Sequence, residues 1–356
     1  MRAKLEDVCV RGSSNLKQSD VIDKTGEYPI YGAAGYIGNV DFYHQDQPYV
    51  AVVKDGAGIG RTSLYPAESS VIGTMQYLLP KENVLPEYLC YVVKYMHLEK
   101  YFTGATIPHI YFKDYKKEEF NLDTLDRQKE IVNILGRIEC VISSRQQELQ
   151  KLDELIKARF VEMFGDLANP ECSWDKSKLI DVCTDKDDIK CGPFGTQLNK
   201  DEYIESGIAV WEIPQINAAF LINPTHFLTE EKAEQLKAYT IIPGDIAMSR
   251  KGNVGKCALF PDNYPEGIIH SDVLRIRVDR KRINPLFMMC QLHFSGSVTR
   301  QIELVSSGAI MAGVNVTKLK QIYVHVPPIE LQNQFADFVH QVDKSKVIKQ
   351  NNQVFS

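Results

Sequence analysis

The chain repeats itself. Lys4-Leu5-Glu6-Asp7-Val8-Cys9 returns as Lys178-Leu179-Ile180-Asp181-Val182-Cys183, identical at five of six positions. The echo continues in order. Gly26 with Tyr31 answers Gly207 with Trp211, and Gly60-Arg61-Thr62-Ser63-Leu64-Tyr65-Pro66 answers Gly255-Lys256-Cys257-Ala258-Leu259-Phe260-Pro261. Pro86-Glu87-Tyr88-Leu89 answers Pro285-Leu286-Phe287-Met288, Gly104-Ala105 answers Gly308-Ala309, and Asp126-Arg127-Gln128 answers Glu330-Leu331-Gln332. The separation between partners widens along the chain, as it does when a duplicated domain carries longer loops in its second copy. Two similar modules on one chain suit a pseudo-twofold object, and a target with two halves.

A length of 356 residues fits two domains, at roughly 150 residues each. Hydrophobic residues at 44% supply two ordinary cores. No apolar run reaches the length of a membrane span, and Met1-Arg2-Ala3-Lys4-Leu5-Glu6 is no signal peptide. A cytoplasmic protein with no membrane attachment is expected. The cysteines form no Cys-x-x-Cys pair and none sits at zinc spacing beside a histidine, so they read as reduced, mostly buried thiols. The net charge of −5 weighs against a uniformly basic nucleic-acid binder. A local basic face, or contacts shared with a partner subunit, remains compatible with it.

The first module spans 1–124, with strands predicted at 49–53 and 71–79 and a helix over 86–101, Pro86 in its first turn. Residues 125–164 differ in kind. Ile131, Leu135, Ile138, Ile142, Leu149, Leu152, Ile156 and Met163 fall at alternating spacings of four and three, interrupted by Arg145 and Arg159. That is a heptad seam of about five repeats, the pattern of a long helix pairing with another; at roughly 1.5 Å per residue it is about 60 Å long. Gly165-Asp166 and Asn169-Pro170 stop it. The hinge and second module occupy 165–328, closed by Pro327-Pro328. A second helix over 329–356 puts Phe335, Val339 and Val342 on its seam, then Lys346 and Lys349. It is expected to be about half as long as the first. The fold class expected is α+β: two tandem mixed α/β domains joined by long helices in an antiparallel, pseudo-twofold coiled coil, the second helix truncated.

The order module, long helix, hinge, module, helix resembles the DNA-specificity (S) subunit of type I restriction-modification systems. The resemblance covers essentially the whole chain. It rests on Phe164-Gly165-Asp166 with Asn169-Pro170 and Trp174, Gly192-Pro193-Phe194-Gly195-Thr196-Gln197-Leu198, the run Gly244-Asp245-Ile246-Ala247-Met248-Ser249-Arg250-Lys251-Gly252, and Val326-Pro327-Pro328. It implies that each module is a target-recognition domain for one half of a bipartite double-stranded DNA sequence, with the helices as spacer. It implies two methyltransferase (M) subunits that bind S-adenosylmethionine and methylate adenine, with restriction (R) subunits joining in the full complex. The S subunit itself carries no catalysis, cofactor or metal. The short second helix, and no element expected before Lys4, leave open a self-dimer that completes the coiled coil.

Other chemistry is hinted at and outweighed. Gly56-Ala57-Gly58-Ile59-Gly60 is followed by a strand-like segment, not the helix a dinucleotide loop requires. Asn284-Pro285-Leu286-Phe287 reads as a helix start rather than a methyltransferase motif, and Asp187-Asp188-Ile189-Lys190 as a solvated charged turn. DNA contact needs polar and cationic side chains on loops held by a rigid scaffold. The candidates are Lys54, Arg61, Thr62, His109, Tyr111, Lys113 and Lys116 in the first module. In the second they are Lys190, Thr196, Gln197, Arg250, Lys251, Asn253, Lys256, Asn315 and Lys318. Arg61 matches Lys256, and 106–113 matches 310–317. The competing reading is a homodimeric coiled-coil scaffold with no role in methylation.

Overall fold

The computed structural model describes residues 1–21, 23–104, 108–165, 169, 172–306 and 313–351, with side chains as far as Ser345. Two compact units emerge, Met1–Arg145 and Gln146–Ser356.

The first unit runs β1 (Arg2–Lys4), α1 (Leu5–Val8), β2 (Cys9–Ser13), β3 (Tyr28–Gly32), β4 (Gly35–Val40), β5 (Tyr49–Val53), β6 (Thr62–Tyr65), β7 (Ser70–Val71), β8 (Met75–Pro80), α2 (Pro86–Tyr95), α3 (Phe112–Tyr115) and β9 (Glu119–Asn121). It then enters α4 (Leu125–Phe164). Its sheets are β2-β8-β5-β6, β4-β3-β7 and the pair β1-β9. Every residue of β5 is buried, so its unbroken Tyr-Val-Ala-Val-Val run packs on both faces.

The second unit follows α4 with β10 (Asp175–Lys178), β11 (Ile189–Cys191), β12 (Ile208–Trp211), α5 (Ile213–Asn217), β13 (His226–Leu228), α6 (Glu230–Gln235), β14 (Thr240–Ile241), β15 (Ile246–Ser249), β16 (Cys257–Leu259), β17 (Gly267–Ile269) and β18 (Val273–Ile276). It ends with α7 (Pro285–Phe294), α8 (Gly296–Val305), α9 (Val316–Leu319), β19 (Tyr323–Val326) and α10 (Ile329–Asn351). Its sheets β11-β18-β15-β16, β13-β12-β17-β14 and β10-β19 repeat the first unit's order. The single parallel pairing recurs: Tyr31 opposite Val71, and Trp211 opposite Ile269. β14, α5, α6 and the full helix α8, where the first unit has one 3-10 turn at Leu98–Tyr101, account for the longer second copy.

Details of the duplication are chemical. A Cβ on Gly26 would lie 2.0 Å from the Val40 carbonyl, and one on Gly207 2.4 Å from the Leu228 carbonyl. Both glycines exist because the chain crosses its partner strand's end too closely for a side chain. Cys9 and Cys183 donate their thiols to Leu5 and Leu179 carbonyls, and burial pushes both thiols up to about 12. Most decisive are two buried glutamines. Gln128 Oε1 accepts the Leu85 N–H, and its Nε2 donates to the Asn83 and Asp123 carbonyls. Gln332 does the same with the Asn284 N–H and the Arg282 and Pro327 carbonyls. Each thus ties the start of an outgoing helix to the start of α2 or α7.

Several expectations are corrected. The strand predicted over 71–79 is broken into β7 and β8, because Gly73 N–H turns to the Leu16 carbonyl. The helix predicted over 86–101 stops at Met96, where His97 takes a left-handed φ of 52°. Arg2–Lys4, before which nothing was expected, pairs with β9. Asp188 is no solvated residue: it is buried and accepts the Thr184 and Asp185 N–H groups. Gly165 ends α4 with a φ of 75° and its N–H on Val161, as expected of a C-cap. The Asp166 and Pro170 parts of the hinge, the Gly104-Ala105/Gly308-Ala309 echo beyond Gly104, residues 106–107 and 310–312, and the Lys346 and Lys349 seam positions lie outside the described side chains.

The heptad stripe is divided among environments. Ile131 packs on the first unit's core, whereas Leu152 and Ile156 share a core with Phe335, Val339 and Val342 in the second. Leu135 and Leu149 are half-buried. Ile138 and Ile142 are 49% and 51% exposed.

Candidate nucleic-acid interface

In each unit one hairpin is held by the same frame. Val53 N–H bonds to the Arg61 carbonyl and Gly60 N–H to the Val53 carbonyl, both at 2.9 Å. In the second unit Ser249 N–H bonds to Lys256 at 2.8 Å, and Gly255 N–H to Ser249 at 3.0 Å. Gly60 and Gly255 have φ of 80° and 81°, a left-handed corner that favours glycine. The segment before α3 or α9 is laced to the hairpin: Ile110 N–H to the Lys54 carbonyl, and Val314 N–H to the Arg250 carbonyl. Arg61 therefore corresponds to Lys256, Lys54 to Arg250 and Tyr111 to Asn315.

In the first unit this frame gathers Lys54, His109, Tyr111 and Lys113. His109 Nδ1 meets the Asp55 carboxylate, its ring lies 4.1 Å from Tyr111, and Lys113 Nζ sits 5.1 Å above the tyrosine ring. Burial, then the charge of Lys54, holds His109 below the ordinary imidazole range. Neutral His109 accordingly donates Nδ1–H to Asp55 and keeps Nε2 as an acceptor. Lys54 is drawn below the usual ammonium range by burial, then by Arg11. Arg61 is exposed at the hairpin's far strand. Two candidates do not join. Thr62 is buried with its hydroxyl on the Gly60 carbonyl, and Lys116 is paired with Glu6 at 2.7 Å.

In the second unit Arg250 lies 4.8 Å over the exposed Phe194 ring and donates Nε to the Val314 carbonyl. Lys190 lies 5.3 Å over Tyr239, whose hydroxyl bonds to Gln197 Oε1. Gln197 also accepts the Phe194 N–H, so Lys190, Gln197 and Arg250 belong to one array. Lys251 is paired with Asp272 at 2.8 Å. Thr196, Asn253, Lys256 and Lys318 are exposed. Asn315 caps α9 by accepting the Lys318 N–H, a structural duty that leaves its side-chain amine outward. An Arg or Lys laid on an aromatic face has fewer conformations to lose when it meets a base edge or phosphate.

The sequence reading missed Arg11, Phe194 and Tyr239. Phe194 stood beside Thr196 and Gln197, but its pairing with Arg250 spans the whole fold of the unit. The Gly244-Asp245 start of β15 is structural: Asp245 is fully buried and receives Arg277 at 2.8 and 2.7 Å. Asn284 caps α7 through the Leu286 and Phe287 N–H groups. The strand Thr62–Tyr65 follows the glycines at 56–60, where a dinucleotide loop would need a helix. Among the described residues no group of three or more His, Cys, Asp or Glu is placed to hold a metal ion, and no helix is long and apolar enough to cross a membrane.

Two copies of one sheet-and-helix module, each with a cation-bearing hairpin on the same hydrogen-bonded frame, define a tandem recognition-module protein. The chain belongs to the type I restriction modification DNA specificity domain family, whose model matches residues 1–154 and 172–354. Two curated relatives come from Methanocaldococcus jannaschii. The MjaX type I restriction enzyme specificity subunit is 26% identical over 177 residues, 48% of this chain and 39% of that protein. The MjaIX specificity subunit is 20% identical over 302 residues, 78% of this chain and 66% of that protein. The match thus spans less than two thirds of either relative. The type I restriction-modification S subunit from M. genitalium superposes with a TM-score of 0.61 at 16% identity, covering 99% of this chain and 91% of that one. A chain from a structure of type I R-M complex assembly and conformational transition gives 0.51 at 14%, covering 99% and 92%. At such identities the likeness is one of fold. It does not favour a bare coiled-coil scaffold.

Proposed function

We propose that this chain is the DNA-reading subunit of a type I modification complex, each unit reading one half of a split sequence. The observation that carries this is the shared hairpin frame, which presents a cation at the same two places in both units: Lys54 and Arg250, Arg61 and Lys256. The surroundings differ, His109 and Tyr111 in one unit against Phe194, Gln197 and Tyr239 in the other. Different side chains on one frame imply different half-sites. The chain supplies recognition and scaffolding. Methyl transfer to adenine belongs to two M subunits that carry S-adenosylmethionine, and cleavage to R subunits. The working compartment is the cytoplasm.

The test is a map of adenine methylation across the host genome with the gene intact, deleted, or carrying Arg250→Ala. One split motif should vanish on deletion, and the substitution should weaken it. An unchanged methylome in the deletion strain would refute the proposal.

A further inference from the structure

The first unit carries an open groove of about 890 Å³ lined by α2, β9 and the start of α4. The second unit shows what such a groove holds. The buried glutamines put the helices in register, so Ile131, Leu135 and Ile138 correspond to Phe335, Val339 and Val342. The helix starts at Pro86 and Pro285 pair Tyr88 with Phe287 and Tyr95 with Phe294.

In the second unit the end of α4 fills this place. Phe160 lies 5.7 Å from Phe287, 5.8 Å from Phe294 and 5.4 Å from Phe335. Phe164 lies 4.7 Å from Phe287 and 5.6 Å from Phe335. Leu152 and Ile156 continue the contact into the core that holds Val339 and Val342. Val342 is 7% exposed there, whereas its counterpart Ile138 is 49% exposed. Tyr95, the counterpart of half-buried Phe294, is 84% exposed. Among the described residues nothing occupies the first unit's groove.

We propose that this groove is a receptor for an amphipathic helix supplied by another polypeptide, one presenting two aromatic side chains four residues apart. Its aromatic pair enters between Tyr88, Tyr95 and Ile131, as Phe160 and Phe164 do in the second unit. A leucine or isoleucine one and two turns earlier covers Leu135 and Ile138. The groove floor is apolar, and the rim is polar and mixed in sign: Arg2 pairs with Glu119, and Glu139 takes the Tyr91 hydroxyl at 2.8 Å. Apolar burial therefore supplies the affinity and the rim sets the register. The inference does not depend on either unit reading DNA.

The experiment uses the full chain and a fluorescein-labelled peptide of residues 149–165, followed by anisotropy. The peptide should bind, and the same peptide with Phe160→Ala and Phe164→Ala should bind at least about tenfold more weakly. Tyr95→Asp in the full chain should weaken binding by a similar factor, and Leu135→Asp should do so independently. Tyr95 is exposed enough that its replacement leaves the fold intact, which far-ultraviolet circular dichroism would confirm. No binding, or binding indifferent to Tyr95→Asp and Leu135→Asp, overturns the proposal; the latter would mean the peptide displaces α4 from the second unit. A dimer in sedimentation that Tyr95→Asp splits and the peptide does not would assign the groove to a second copy, and would equally overturn it.

Discussion

Replacing Gln332 with leucine keeps the volume nearly constant and removes only the hydrogen bonds. Three are lost, leaving the Asn284 N–H and the Arg282 and Pro327 carbonyls without their partner in a site where Gln332 is fully buried. Each orphaned group costs about 1–3 kcal/mol, carbonyls toward the low end, and the added apolar surface returns part of it. A net loss of about 3 kcal/mol is expected. With an m-value of about 3 kcal/mol/M the urea midpoint should fall by about 1 M at unchanged slope. The chain has two tryptophans, and both, Trp174 and Trp211, lie in the second unit. Tryptophan fluorescence therefore follows that unit alone. Gln332→Leu should shift the fluorescence transition, while Gln128→Leu should leave it in place and shift a tyrosine-monitored transition by a similar amount. A Gln332→Leu shift below about 0.3 M, or an equal tryptophan shift from Gln128→Leu, would refute the assignment of these glutamines as matched ties.

Phe160→Ala should destabilise the second unit by about 3–5 kcal/mol, whereas Ile138→Ala on the same helix should cost about 0.5 kcal/mol, both read by urea melts. Burial holds His293 and His325 below the ordinary imidazole range, with Lys256 and Lys176 adding to it. Their neutral forms belong to the folded state, so the stability they carry is present above the unfolded imidazole value, about 6.5, and is lost as pH falls below it. Melting at pH 7.5 and 5.5 should show this loss, and His293→Gln should reduce it, since His293 Nε2 accepts the Cys257 N–H only when unprotonated. Lys256→Ala should weaken DNA binding by the assembled complex about equally on all sequences and lower the salt slope by about one, while Arg250→Ala should also relax discrimination in one half-site. The isolated chain should bind DNA weakly and with little sequence preference, and a competition titration against random DNA checks this.

The duplication was legible because its markers are residues the backbone requires. Gly26 and Gly207 permit a crossing, Gly60 and Gly255 turn a corner, and Gln128 and Gln332 complete a helix start. Such roles tie residue type to position. The heptad stripe was legible as a stripe but not in its partners, since a 3.5-residue repeat is satisfied by any apolar neighbour. Ile131 found a sheet-and-helix core, Ile156 found α10, and Ile138 found none among the described residues. The break at His97 was hidden because helix propensity continues through Leu98–Tyr101 while the chain turns. Candidate cations on the hairpins could be picked out, since their loop positions recur. Their aromatic supports could not, because Phe194 with Arg250 and Tyr239 with Lys190 are neighbours only once the sheets have formed. Thr62 and Lys116 looked equally eligible in the sequence and proved committed to Gly60 and Glu6.

The hairpin frame has a consequence for how such proteins change over time. Residues 54–59 and 250–254 hang between two backbone hydrogen bonds and a glycine corner, and those bonds read no side chain. Mutation can therefore rewrite the presented surface while the core is inherited unaltered. A lineage can try new targets without first risking a chain that no longer folds.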